Sequence, residues 1–274
     1  MTDMTVTNVD LVALKEIARD LRLDILEMTA QAGSGHPSSS FSSVEIVTAL
    51  YFGGILNYRS DDPWWPDRDR FIMSKGHSVP AQYAALALLD VLPCDELPSL
   101  KCMGSRLQGH PAMQETPGLE GCTGALGEGL SYANGMALAA RVHGLSYHVY
   151  CLLGDGELHE GQIWEAALFA AHWQLDNLVV ICDYNKLQID GFTRDILDLE
   201  PLVDIALPGQ PRVSFGNVTP EAAVRLLQSG IEDGYLPLDD ALGHFGDADV
   251  TLGIPHFFDL PMLKPQVRLV LRNA

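Results

Sequence analysis

The sequence predicts an α/β domain: a doubly wound, mostly parallel sheet with helices on both faces. Three observations carry that class. Residues 148–153 and 177–183 are near-continuous apolar runs, the pattern of parallel strands buried on both faces. A helical stretch separates the two runs, which is the connection that parallel neighbours require. Strand-like and helix-like segments also alternate through the preceding residues. A chain of 274 residues can bury a sizeable core, and we read 1–274 as a single domain.

Each element follows from local pattern. Leu11, Leu14, Ile17, Leu21, Ile25 and Met28 recur at helical period over 11–32, and Gly33 follows as a C-cap. Residues 43–52 predict a second, short helix. The stretch 61–69 holds Pro63, Trp64, Trp65 and Pro66 and reads as a loop. Residues 71–73 predict a strand that delivers Ser74, Lys75, Gly76 and His77. Residues 79–92 are rich in Ala and Leu and read as a helix. The stretch 101–129 is glycine-rich and irregular, and a helix from about 130 to 142 leads into the first apolar run. Further on, Thr219, Pro220 and Glu221 form a helix start, and 264–271 reads as a last strand.

Charge and cysteine usage exclude several classes. The chain carries 17 Lys and Arg against 36 Asp and Glu, a net charge of −19. That balance argues against nucleic acid or an anionic membrane as partner. An anionic substrate would have to meet basic groups concentrated locally. No apolar run approaches the roughly 18 residues of a membrane span, and the polar start, 1–10, shows no signal peptide. Cys94, Cys102, Cys122, Cys151 and Cys182 form no CxxC pair, and Cys151 and Cys182 sit inside the strand runs as small core residues. The expectation is a reducing, cytoplasmic setting without disulfides.

The two apolar runs end on chemistry. The first ends on Gly154, Asp155 and Gly156, the second on Tyr184 and Asn185. Adjacent parallel strands bring both ends to the carboxyl edge of a sheet, where open α/β folds bind ligands. A carboxylate and an amide oxygen suit a hard dication, Mg²⁺ or Ca²⁺. The glycines let a phosphate approach the backbone closely. Together they suggest a metal-bridged diphosphate. The plainer reading makes Asp155 a helix N-cap and Asn185 a turn residue.

Gly154, Asp155 and Gly156, then 28 residues, then Asn185 resembles the thiamine diphosphate signature. The text of 154–166 is similar to a transketolase. The resemblance runs from about residue 15 to about residue 202, with separated motifs in the family's order. These are Gly33-Ser34-Gly35-His36-Pro37, Ser74-Lys75-Gly76-His77-Ser78, Gly109-His110-Pro111 and Gly124-Ala125-Leu126-Gly127-Glu128-Gly129. The resemblance implies the thiamine diphosphate-binding fold and the cofactors thiamine diphosphate and Mg²⁺, with Ca²⁺ or Mn²⁺ as substitutes. It implies that Asp155, Asn185 and the backbone carbonyl of Leu187 hold the metal. It places His77, Gly124, Leu126, Gly156 and Glu157, with Asp155 and Asn185, at the cofactor. It makes His36, His77 and His110 the catalytic, sugar-facing histidines. Imidazole suits that work because its ordinary pKa, about 6.5, lies near working pH. Glu160 resembles a glutamate that couples paired cofactor sites across the subunit interface.

The family also has a glutamate that hydrogen-bonds the cofactor's pyrimidine ring, and it lies in a later domain absent from this sequence. The chain therefore resembles the amino-terminal subunit of a split transketolase. The implied partner is a second transketolase subunit carrying the pyrimidine-binding and C-terminal domains, in an α2β2 heterotetramer. The implied reaction moves a two-carbon ketol unit from a ketose phosphate to an aldose phosphate. Residues 203–263 depart from the family and form a divergent segment, with His244 and His256 as candidates for a further substrate histidine. That departure suggests a specialised biosynthetic pathway. Two alternatives remain: another thiamine diphosphate-dependent subunit of the deoxy-sugar phosphate synthase type, and a non-catalytic cofactor-binding partner.

Overall fold

The computed structural model describes residues 11–199 and the backbone of three strands beyond them, 212–213, 250–251 and 268–273. The helix start at 219, His244, His256 and nearly all of 203–263 lie outside the described residues.

The elements in order are α1 (Leu11–Ala32), α2 (Pro37–Ser42), α3 (Val44–Phe52), β1 (Arg70–Met73), α4 (Val79–Leu88) and α5 (Glu128–His143). They continue with β2 (Val149–Gly154), α6 (Gly161–Trp173), β3 (Leu178–Tyr184), β4 (Leu187–Gln188), β5 (Gly191–Phe192) and α7 (Thr193–Ile196). The short strands β6 (Arg212–Val213) and β7 (Val250–Thr251) pair with each other, and β8 (Arg268–Asn273) closes the series. The main sheet has the order β1-β2-β3-β8, and every pairing in it is parallel.

Strand side chains alternate between two cores. Phe71, Met73, Tyr150, Leu152, Val179 and Ile181 pack with α1, α3 and α4 on one face. Ile72, Val149, Cys151, Leu153, Val180 and Cys182 pack with α5 and α6 on the other. Strands covered on both sides must be apolar at every position, which is why β2 and β3 read as unbroken apolar runs. All five cysteines are free, and Cys151 and Cys182 are buried. No helix among the described residues is long and apolar enough to cross a membrane.

Two boundaries differ from expectation. α4 stops at Leu88 instead of running to 92, because Asp90 takes a left-handed conformation (φ 58°) and the Val91 and Leu92 amides turn back to the Leu86 carbonyl. That closure satisfies a helix end and redirects the chain toward Pro93. The last strand lies at 268–273, a few residues beyond the expected 264–271.

Candidate active site at the carboxyl edge of the sheet

β1, β2 and β3 all release their chains at one edge, so Ser74–Ser78, Asp155–Glu157 and Tyr184–Leu187 are neighbours there. Gly154 is in register with Asp183, which places Asp155 beside the end of β3. Asp155 is buried. Its Oδ1 accepts from the Gly156 amide at 2.8 Å, and its Oδ2 accepts from the Lys186 amide. Burial, with Asp183 close by, pushes its carboxyl up to about 6. A carboxylate held this way, with only backbone donors on its oxygens, gains from a cation beside it. Asn185 Oδ1 accepts from the Leu187 amide at 2.9 Å, and between them Lys186 is left-handed, with φ 63°. The plainer reading is thus satisfied locally: Asp155 does cap a short 3₁₀ turn, and Asn185 does form a turn. Both oxygens keep lone pairs for a further partner.

Glu157 ties three segments of the site together. It is buried, and its Oε1 accepts from Ser74 Oγ at 2.5 Å and from the Gly127 amide at 2.8 Å. Its Oε2 accepts from the Gly154 amide at 3.0 Å. One carboxylate therefore joins the ends of β1 and β2 to the turn that opens α5. Gly127, at φ 88°, is the N-cap of α5. Gly124 and Leu126 lie exposed on the turn before it, with open space above Gly124.

The three motif histidines come together. The His36 and His77 rings meet edge-on with centroids 5.2 Å apart. Burial, then Lys75, His36 and His110 hold His77 down to about 3. Burial, with His36 and Lys101, also lowers His110. At neutral pH His77 is thus an uncharged imidazole that donates through one ring nitrogen and accepts through the other. Lys101 Nζ donates to Ser34 Oγ at 2.5 Å, tying the loop before His36 to the loop that leads to His110. Glu160 is exposed at the N-cap of α6, on the Gly127 side.

Sequence reasoning missed Lys75 and Asp183. They form a buried ion pair at 2.6 Å, and both charges are felt at His77. The signal was present as an acid inside an apolar strand and a lysine beside a motif histidine. Among the described residues no three His, Cys, Asp or Glu side chains cluster as a metal site. A dication here would draw on one carboxylate, one amide and one carbonyl oxygen, completed by phosphate oxygens and water, which is the mixed oxygen set Mg²⁺ accepts. The residues present fit a metal-bridged diphosphate.

Residues 13–200 match the family model described as the transketolase thiamine diphosphate binding domain. The chain belongs to the transketolase family. It is 46% identical over 191 residues to the 6-deoxy-6-sulfo-D-fructose transketolase subunit SqwG of Clostridium sp. (strain MSTE9), covering 70% of this chain and 69% of that protein. It is 47% identical over 190 residues to an apulose-4-phosphate transketolase subunit from Actinobacillus succinogenes, covering 69% of this chain and 68% of that one. The structure of transketolase from Leishmania mexicana superposes with a TM-score of 0.73 at 28% identity, covering 95% of this chain but 36% of that one. This transketolase-family chain thus matches most of the length of the subunits and about a third of the longer enzyme.

Proposed function

We propose that the chain is the thiamine diphosphate-binding subunit of a heteromeric transketolase. It acts as a transferase that moves a two-carbon ketol unit from a ketose phosphate to an aldose phosphate. The observation that carries this reading is the meeting of His36, His77 and His110 at the same sheet edge as Asp155 and Asn185. The relatives named as transketolase subunits, at comparable coverage, support a split enzyme and a specialised sugar pathway.

In this reading Asp155, Asn185 and the Leu187 carbonyl hold Mg²⁺, with Ca²⁺ or Mn²⁺ as substitutes. Gly124, Leu126, Gly156 and His77 line the diphosphate, and Glu157 fixes the Gly127 amide and both strand ends around it. When bound, thiamine diphosphate supplies a nucleophilic carbon able to add to the ketose carbonyl. His36, His77 and His110 bind sugar hydroxyls and hold or pass protons at Nδ1 and Nε2, with neutral His77 and His110 as two-way hydrogen-bonding groups. Glu160, exposed at the start of α6, faces the subunit contact that couples paired sites. The partner subunit brings the pyrimidine pocket and its activating glutamate, in an α2β2 assembly in the cytoplasm.

The test is purification from the producing cells under gentle conditions, followed by mass spectrometry of stoichiometric companions and donor profiling of the complex. A companion resembling the remainder of a transketolase, with ketose phosphate turnover, supports the reading. Exclusive use of pyruvate as donor, or no companion and no cofactor binding, overturns it.

A further inference from the structure

One ammonium joins three segments of the site. Lys75 Nζ meets Asp183 Oδ2 at 2.6 Å, with the two side chains 2% and 0% exposed. The same Nζ donates to Ser42 Oγ at 3.2 Å and to the Ser39 carbonyl at 3.3 Å, while Ser42 Oγ also donates to Asp183 Oδ2. Lys75 belongs to the turn after β1, Ser39 and Ser42 to α2, and Asp183 to the end of β3. Each segment carries a site residue close by. His77 lies two residues after Lys75. His36 precedes α2, and its carbonyl accepts from the Ser40 amide and from Ser40 Oγ. Asn185 lies two residues after Asp183. A second tie backs the first: Ser78 Oγ donates to the Ser39 carbonyl at 3.0 Å.

Stability alone does not call for this pair. Burying two charges is costly, and a well-packed apolar pair of similar volume often serves the fold as well. Nor is the pair finished as a structural device, because Asp183 Oδ1 is buried with no hydrogen-bond partner among the described residues. A buried acceptor left open is uncommon and needs a reason.

We propose that Lys75 and Asp183 are a positioning pair: they set the spacing between the sugar-facing His36 and His77 and the metal-side turn Asn185–Leu187. This rests on the reading of the site given above. Charge and direction do the work, since a lysine head with three donors ties its own turn to α2 and to the end of β3 at once, which no apolar side chain can do.

The decisive variant is the double Lys75→Met/Asp183→Leu, studied in the complex with its partner subunit. Three quantities are measured: thiamine diphosphate binding with Mg²⁺ by calorimetry without sugar, donor KM and kcat, and Tm. The expected result is a folded complex with Tm within a few degrees of wild type. Its cofactor affinity falls at least tenfold and its donor KM rises at least fivefold. Lys75→Arg, which keeps the charge, recovers most of both. Wild-type affinity and KM in the folded double variant overturn the proposal. If the double variant does not fold, Asp183→Asn decides: wild-type cofactor affinity and donor KM in that complex also overturn the proposal. Wild-type complex that binds no thiamine diphosphate overturns the underlying reading of the site, and the pair's role with it.

Discussion

Gly76 has no room for a side chain. A Cβ there would sit 1.9 Å from the Thr123 carbonyl oxygen, and Thr123 Oγ1 already donates to the Met73 carbonyl at 2.6 Å. The turn that carries His77 is thus pressed against the loop that leads to α5, backbone on backbone. Gly76→Ala must push them apart, which we expect to cost about 3 kcal/mol, or roughly 6–12 °C in Tm by calorimetry. Glu157 makes the same join electrostatically. In Glu157→Gln the amide keeps one acceptor oxygen, so an NH₂ group faces the Gly154 or Gly127 N–H. We expect a loss of about 1–3 kcal/mol by urea unfolding, together with weaker thiamine diphosphate binding, whereas wild-type behaviour in both would dismiss the joining role. The sequence made Asp155, Asn185 and the histidines legible, because loop residues of that chemistry have few structural duties. The work of Glu157 was not legible: its partners Ser74 and Gly127 are 83 and 30 residues away, and only the fold brings them to one carboxylate.

At the scale of elements, β3 matters most, because it is an internal strand of the sheet and its end at Tyr184 delivers Asn185. Ile181 is fully buried against the α1–α3–α4 layer. Ile181→Ala removes that packing and leaves a cavity, with an expected loss of about 2–5 kcal/mol. It should appear as a lower urea midpoint with an unchanged m-value. The apolar runs revealed β2 and β3 because burial on both faces leaves no polar positions. α1 was legible from its period, since Leu14, Leu21, Ile25 and Met28 all reach the core. α2 was not, because its six residues, mostly serine, carry no apolar stripe. Its serines instead bond to Lys75, Ser78 and Asp183, which are tertiary contacts. The hairpin β4–β5 escaped for a related reason: two-residue strands show no periodicity.

Across the whole molecule, acidification pulls stability in two directions. His77 is held down to about 3 by burial and by Lys75, His36 and His110, with Asp183 opposing. The unfolded chain takes up that proton near 6.5, whereas the folded chain refuses it until about 3. His77 therefore supports the fold fully above pH 6.5, and its support is lost progressively as pH falls from there toward 3. His110, lowered in the same sense, adds to this loss. Asp155 acts oppositely: its carboxyl is raised to about 6, so the folded chain binds that proton first and gains stability as pH falls from about 6 toward 4. The repulsion of a −19 chain also relaxes, but mainly where ordinary carboxylates titrate, near pH 4. The histidines thus dominate from about pH 7 to 6, and the carboxyl terms blunt the fall below that. With metal and cofactor removed by chelator and dialysis, wild-type Tm should decline between pH 7 and 6. The difference between wild type and His77→Gln cancels the carboxyl terms, and it should shrink steadily from pH 7 to 4. A difference that stays constant over that range would mean that His77 titrates alike in both states and that the pocket does not hold it neutral.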